Sequence, residues 1–141
     1  MTGMTCWIGI DHGDRRMGIA TGSTETGVAS PVGVLRIGDM SKEEVFARIY
    51  RYVDEYDADG VVVGWPLNMD GTEGARGRET RKFADSLSER LGVEVRLWDE
   101  RLSSYSADEK LSGEMSRKKR RNRHDAVAAS IFLEEFLASL G

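Results

Sequence analysis

The segment Gly60-Val61-Val62-Val63-Gly64 contains no polar side chain. A strand with one wet face alternates apolar and polar residues, so an unbroken run of this kind reads as a strand covered on both faces. Helices must then pack on both sides of the sheet, and the flanking segments supply them. Upstream, Ser41-Lys42-Glu43-Glu44 is a capping box, in which the Ser oxygen and the Glu side chain satisfy free amides at a helix start. Val45, Phe46, Ile49, Tyr50 and Val53 follow at helical spacing and are expected to form one buried stripe. Downstream, a helix is expected from about Arg78 to Leu91, with Phe83, Ala84, Leu87 and Leu91 inward and Gly92 as its left-handed stop.

The first third of the chain has a shorter period. Thr5 to Asp11 is apolar and ends at the turn His12-Gly13-Asp14. Arg16 to Gly22 is short, and Val28 to Ile37 alternates around Pro31. Three strands joined by short turns form an antiparallel meander. Val93 to Trp98 reads as a further strand, Ser104 to Leu111 as a short helix, and His124 to Leu140 as the last helix. The order β-β-β-α-β-α-β-α-α predicts an α/β fold. It has a mixed five-stranded sheet, the later strands parallel to the first, and helices on both faces. With 141 residues the chain fits one domain spanning 1–141.

The composition sets the class. An apolar fraction of 40% and a charged fraction of 31% belong to a soluble globular chain. No apolar run approaches the roughly 18 residues that span a bilayer, and no signal peptide is visible, so no membrane partner and a cytoplasmic location are expected. Cys6 is the single cysteine, which excludes an internal disulfide and any Cys-cluster metal site, and it reads as a small buried residue. The net charge of −4 argues against a polyanionic partner, but the charge is unevenly spread. Arg117-Lys118-Lys119-Arg120-Arg121-Asn122-Arg123 is a dense basic run, read as a loop before the last helix. Alone such a run is usually a solvated surface; immediately ahead of an acidic residue at a helix start, it suits phosphates.

Three carboxylates stand where packed elements end. Asp11 closes the first strand, Glu100 follows the strand ending at Trp98, and Asp125 opens the last helix. In open α/β sheets ligands lie beyond the carboxyl ends of the parallel strands, and Asp11, Gly64-Trp65-Pro66 and Glu100 all fall there. Gathered together, the three acids would repel one another unless divalent cations lay between them. Such clusters serve metal-dependent phosphodiester hydrolysis. Oxygen ligands favour Mg²⁺ or Mn²⁺, and two histidines make a His-rich zinc site implausible. Each acid also has a plainer reading: Asp11 as a turn residue, Asp125 as a helix-start acid worth under about 1 kcal/mol.

At this point the segments become familiar. Asp11-His12-Gly13-Asp14-Arg15-Arg16-Met17-Gly18-Ile19-Ala20 resembles the opening D-x-G-x-x-R-x-G-x-A motif of the YqgF (RuvX) family. Val63-Gly64-Trp65-Pro66-Leu67-Asn68-Met69-Asp70-Gly71 resembles its V-G-x-P-L-N-x-x-G loop. Asp99-Glu100-Arg101-Leu102-Ser103-Ser104 is similar to its D-E-R-L segment, and Asp125-Ala126-Val127-Ala128-Ala129 to its D-A-x-A-A. The resemblance implies an RNase H-like fold related to Holliday-junction resolvases. It also implies processing of the 5′ end of precursor 16S ribosomal RNA, with Asp11, Glu100 and Asp125 as catalytic and metal-binding acids. The chain departs from the family pattern at Trp65, usually aliphatic, and at His124, where an apolar residue is common.

Further residues are candidates for nucleic-acid contact. Arg16 suits either a substrate phosphate or the turn itself. The Asn68 amide can reach a phosphate or sugar, whereas Trp65 reads as packing. Asp99 and Glu100 point to opposite faces if the strand pattern persists, and the family pattern selects Glu100 for the cleft. Arg101 suits a carboxylate or a phosphate. With Arg117, Lys118, Lys119, Arg120, Arg121 and Arg123 these residues would hold structured RNA or branched DNA by its backbone. The expectation is a two-metal endonuclease. A Holliday-junction resolvase acting as a homodimer is the first alternative, and a non-catalytic nucleic-acid-binding factor the second. The Asp11-x-Gly13 turn also suits the nucleotide-phosphate loop of a small-molecule ATPase or kinase, but this is the weakest alternative, since such folds generally need two domains to close on a nucleotide and this chain has length for one.

Overall fold

The computed structural model describes residues 4–102 and 117–140, and for 102 and 117–125 it describes the backbone alone. The described chain folds as β1 (Cys6–His12), β2 (Arg16–Ser23), β3 (Ala29–Arg36), α1 (Lys42–Glu55), β4 (Gly60–Trp65), α2 (Ala75–Leu91), β5 (Glu94–Asp99), a 3-10 turn (Glu100–Leu102) and α3 (Arg117–Leu140). The expected helix at Ser104 to Leu111 lies outside the described residues. The strands form one five-stranded sheet in the order β3-β2-β1-β4-β5. β1, β2 and β3 pair antiparallel, and β1, β4 and β5 run parallel, as the element order predicts.

The pleat divides the core in two. Ile8, Ile10, Val61 and Val63 point to one side and meet Val45, Phe46, Ile49 and Val53 of α1 and Ala84 and Leu87 of α2. Trp7, Ala20 and Val62 join Ala129, Phe132, Leu133, Phe136 and Leu137 of α3 in a second cluster. The three valines of β4 are fully buried because both faces are covered. Among the described residues no helix is long and apolar enough to cross a membrane.

One detail meets expectation and several depart from it. Ser41 caps α1 through its Oγ, which accepts from the Glu44 amide at 3.2 Å. Tyr50, however, is 52% exposed. It sits one turn beyond Phe46 at the edge of the stripe, where a phenol can keep its hydroxyl in water. Helix α2 begins a turn earlier than Arg78, at Ala75. Gly77 weakens the helical pattern there, yet it is buried because the Trp65 indole lies across it and donates to its carbonyl at 3.1 Å. The basic run is helical: Arg117 to Arg123 form the start of α3, not a loop before it. Arg and Lys are good helix formers, and no Gly or Pro interrupts the chain from Glu114 to Leu140. Cys6 is half-buried, at the start of β1, where its amide donates to the Asp59 carboxylate at 2.9 Å. Partial burial, then nearby Asp59, pushes its thiol pKa up, which makes it a poor nucleophile.

Helix α3 runs against β1 in the opposite direction. A Cβ on Gly22, which pairs with Trp7, would lie 2.9 Å from Leu137. One on Gly9 would lie 3.1 Å from both the Ala129 carbonyl and the Leu133 Cβ. Moving towards the α3 N-terminus therefore means moving towards the Asp11 end of β1. Close seating of the helix depends on the missing side chain at Gly9. Gly9→Val should cost about 1–3 kcal/mol by overpacking, read from urea unfolding.

Candidate active site

Parity along the strands decides which side chains share a face. Trp7, Gly9 and Asp11 alternate with the core residues Ile8 and Ile10, so Asp11 belongs to the α3 side. On β4 the same side carries Val62 and Gly64, and on β5 it carries Trp98. The next position of that parity is Glu100, immediately after β5. Asp11, Gly64 and Glu100 thus stand at the carboxyl ends of three neighbouring parallel strands, β1, β4 and β5.

The two acids meet across β4. The Glu100 and Asp11 carboxyls are hydrogen-bonded to each other. A Cβ on Gly64 would fall 2.6 Å from Glu100 Oε1 and 2.9 Å from Phe132 Cε2. Glycine at position 64 therefore leaves the space through which Glu100 reaches Asp11. Across the other edge of β1, Asp11 pairs with Gly18, which also lacks a side chain. Two carboxyls in contact need a shared proton or a cation between them. Burial raises the Glu100 pKa above the usual carboxylate range, against the opposing pull of its bond to Asp11 and of Arg76.

Asp125 lies on α3, one turn before Ala129, and its side chain is outside the described residues. Its backbone position follows from the antiparallel crossing: Ala129 sits over Gly9, Asp11 is two residues further along β1, and four helical residues advance about 6 Å. Among the described residues no group of three or more potential metal ligands closes on one point. The described pair is nonetheless a suitable beginning for a hard cation, since it consists of carboxylate oxygens crowded together and partly removed from water.

The remaining candidates separate into two groups. Arg16 opens β2 opposite Arg36, near the Asp11–Gly18 pair. Arg101 and Asn68, by contrast, organise the loop after β4. The Arg101 guanidinium grips Asp99, with Nη2 donating to Oδ2 at 2.7 Å, and donates through Nη1 to the Met69 carbonyl at 3.1 Å. This pairing holds the Asp99 carboxyl below the usual range. Asn68 donates through its side-chain amide to Thr72 Oγ1 at 3.0 Å, and its backbone amide donates to the Thr72 carbonyl at 2.9 Å. Asp99 is thus a local brace, as expected, and Trp65 is packing. Sequence reasoning passed over Arg76, in the first turn of α2, whose charge favours ionised Glu100. Its only signal was a helix start hidden by Gly77. His12, next to Asp11, points to the opposite face: it stacks on Phe83 with ring centroids 4.4 Å apart, and its Nδ1 lies 3.4 Å from Thr80 Oγ1. Burial lowers its pKa and favours the neutral ring.

A mixed sheet with this strand order and helices on both faces is an RNase H-like fold. Thermus thermophilus RuvC, solved in complex with a Holliday junction substrate, superposes with a TM-score of 0.59 at 15% identity, covering 97% of this chain and 96% of that one. The fowlpox virus resolvase, also solved with Holliday junction DNA, gives 0.55 at 9% identity, covering 94% and 99%.

Sequence comparison is more specific. The chain belongs to the RuvX family, whose model, described as Holliday junction resolvase, matches residues 5–139. A relative from Geobacillus thermodenitrificans is 38% identical over 133 residues, covering 94% of this chain and 96% of its own length, and is named "Putative pre-16S rRNA nuclease". A Bacillus thuringiensis protein of the same name is 39% identical, covering 94% and 97%.

The buried acid has a thermodynamic signature. Its folded pKa is raised, so the folded state holds a proton that the unfolded state releases, and stability falls as pH rises through that interval. Without divalent cations, Glu100→Gln should melt higher than the parent at about pH 8, and the gap should shrink towards about pH 4, checked by thermal denaturation.

Proposed function

We propose that this protein is a divalent-metal-dependent endonuclease for structured nucleic acid, acting on the 5′ end of precursor 16S ribosomal RNA. The observation that carries the proposal is the Asp11–Glu100 contact over Gly64 at the carboxyl rim. The names of the 38–39% identical relatives support ribosomal RNA as substrate. Asp11, Glu100 and Asp125 would hold two Mg²⁺ or Mn²⁺ ions. Bound there, the ions would supply an activated water and neutralise charge on the leaving 3′ oxygen.

The chain's own residues do the rest. Asp11 on its strand and Glu100 at the start of a 3-10 turn are fixed by the sheet, so little reorganisation accompanies substrate binding. Gly64 leaves the space through which Glu100 reaches Asp11, and Gly18, the partner of Asp11 on β2, carries no side chain. Arg16 and Arg76 border the acids and would orient a phosphate. Arg101 and Asn68 hold the loop over which the strand passes. The basic start of α3 would grip the backbone at a distance. Arg117, Lys118, Lys119, Arg120, Arg121 and Arg123 fall within the first two turns of α3, whose first turn has no acidic residue. That arrangement is self-repulsive until a polyanion neutralises it.

A resolvase acting on branched DNA is favoured by the fold alone, since both superposed resolvases carry Holliday junctions. The protein would then act as a homodimer making paired cuts.

Asp11→Asn should abolish cleavage of a precursor 16S leader in Mg²⁺ or Mn²⁺ while the protein stays folded. Full activity in that variant would defeat the proposal, and preference for a four-way DNA junction would promote the resolvase. Gly64→Ala should lower cleavage about a hundredfold or more by displacing Glu100, because a misplaced group costs on that scale; the added methyl also meets the buried Phe132 ring, so cleavage is compared at a temperature where the variant stays folded. Replacing three of the α3 cations by Gln should weaken binding and make the salt dependence shallower by about two to three phosphate contacts, read from affinity against salt concentration.

A further inference from the structure

The register of the meander brings two arginines together at the end of the sheet that carries the acids. Arg16 opens β2, Arg36 closes β3, and the two stand directly opposite each other. Outside them the Ile37 amide donates to the Arg15 carbonyl at 2.8 Å. Arg16 and Arg36 are therefore the next, non-hydrogen-bonded pair, in which Cα atoms lie about 4.5 Å apart and side chains come closest. Met17, Ile19 and Leu35 point into the first cluster and Ala20 into the second. By parity both arginines leave the sheet on the α3 side, the side of Asp11 and Glu100. Asp11 pairs with Gly18, two residues along β2 from Arg16. From strand spacing and rise, the Cα of Arg16 stands about 8 Å and that of Arg36 about 12 Å from the Cα of Asp11.

Like charges directly opposite each other destabilise a sheet, so the pair has a reason to be met by an anion. Arg16 is half-buried and makes a contact within the fold. Arg36 is exposed and makes no ion pair among the described residues, although the exposed acids Asp14 and Asp39 stand on the adjoining turns. The other flank of the same face differs. Arg96 on β5 is paired with Glu94 and lies over the Trp7 and Phe136 rings, so its charge is already engaged. Resting on the nuclease reading, we propose that Arg16 and Arg36 together seat one phosphodiester flanking the bond that is cut. The substrate strand then leaves the acidic rim over the β2–β3 edge, not over β5. Two guanidinium groups rising from adjacent strands can donate to both non-bridging oxygens, and the phosphate offsets their mutual repulsion. Such a seat reads the backbone and fixes which linkage lies between the acids, not which base flanks it.

The test uses the full chain. Binding is measured in the non-cutting Asp11→Asn background, with a precursor 16S leader RNA in which each linkage is replaced in turn by an uncharged methylphosphonate. One linkage should cost about tenfold in affinity, the scale of a hydrogen bond to a charged group. With Arg36→Gln added, that replacement should cost nothing and the other linkages should cost what they did before. The salt dependence should also become shallower by about one contact. Arg36→Lys keeps the charge without the fork and should fall between the two. Arg36→Gln should melt no lower than its parent, since it removes a like charge opposite Arg16. A lower melting temperature that accounts for the weaker binding would make Arg36 structural and overturn the seat. An equal effect at every linkage, or none at any, would overturn it too. Cleavage with Asp11 intact separates the two readings. Cutting at the same place and rate with and without Arg36 overturns the seat alone. The linkage-specific loss in a protein that cuts nothing supports the seat and overturns the nuclease reading.

Discussion

Two acidic groups held against each other in a partly dry place are the constraint around which this molecule is arranged. Left alone, two carboxyls in contact repel each other unless a proton or a cation lies between them, so the rim is the least favourable part of the fold. The rest of the sheet supports that contact. β1 and β4 are buried on both faces and cannot shift to relieve it, and β4 contributes glycine where any side chain would push the acids apart. The core thus acts as a clamp whose stability offsets a locally unfavourable site, a common relation between packing and function.

Much of this was legible beforehand because period and parity are local properties. The all-apolar Gly60–Gly64 run, the capping box at Ser41 and the left-handed Gly92 led directly to a sheet between helices. Strand parity put the adjacent pair Asp99 and Glu100 on opposite faces and the family pattern chose between them; one acid turns to Arg101 and the other to Asp11. What escaped was set by tertiary contact. Gly77 looks like a helix breaker until Trp65 covers it, so the first turn of α2, with Arg76, was hidden. Asn68 and Arg101 look like free polar groups until their partners Thr72, Asp99 and the Met69 carbonyl are known. The basic run was read as a loop because its charge was weighed above its helix propensity.

The two faces of β1 carry different burdens. One meets α3 so closely that a methyl group at Gly9 would strain the crossing, and it presents Asp11. The other meets α1 and α2 more loosely, leaving room beside His12 and Phe83. A single pleated strand therefore separates a tightly seated acidic rim from an open cavity.

The antiparallel crossing of α3 over β1 also has a temporal side. A chain emerging from its N-terminus exposes Asp11 first and Glu100 much later, and only the final helix carries Asp125 to the same end of the sheet. Before that helix docks over Gly9, the second apolar cluster has no lid and the basic first turns have no place at the rim. Assembly of the acidic rim is thus tied to completion of the core. A chain in which α3 is undocked would leave the second apolar cluster uncovered and Asp11 and Glu100 without the helix that packs over Gly9.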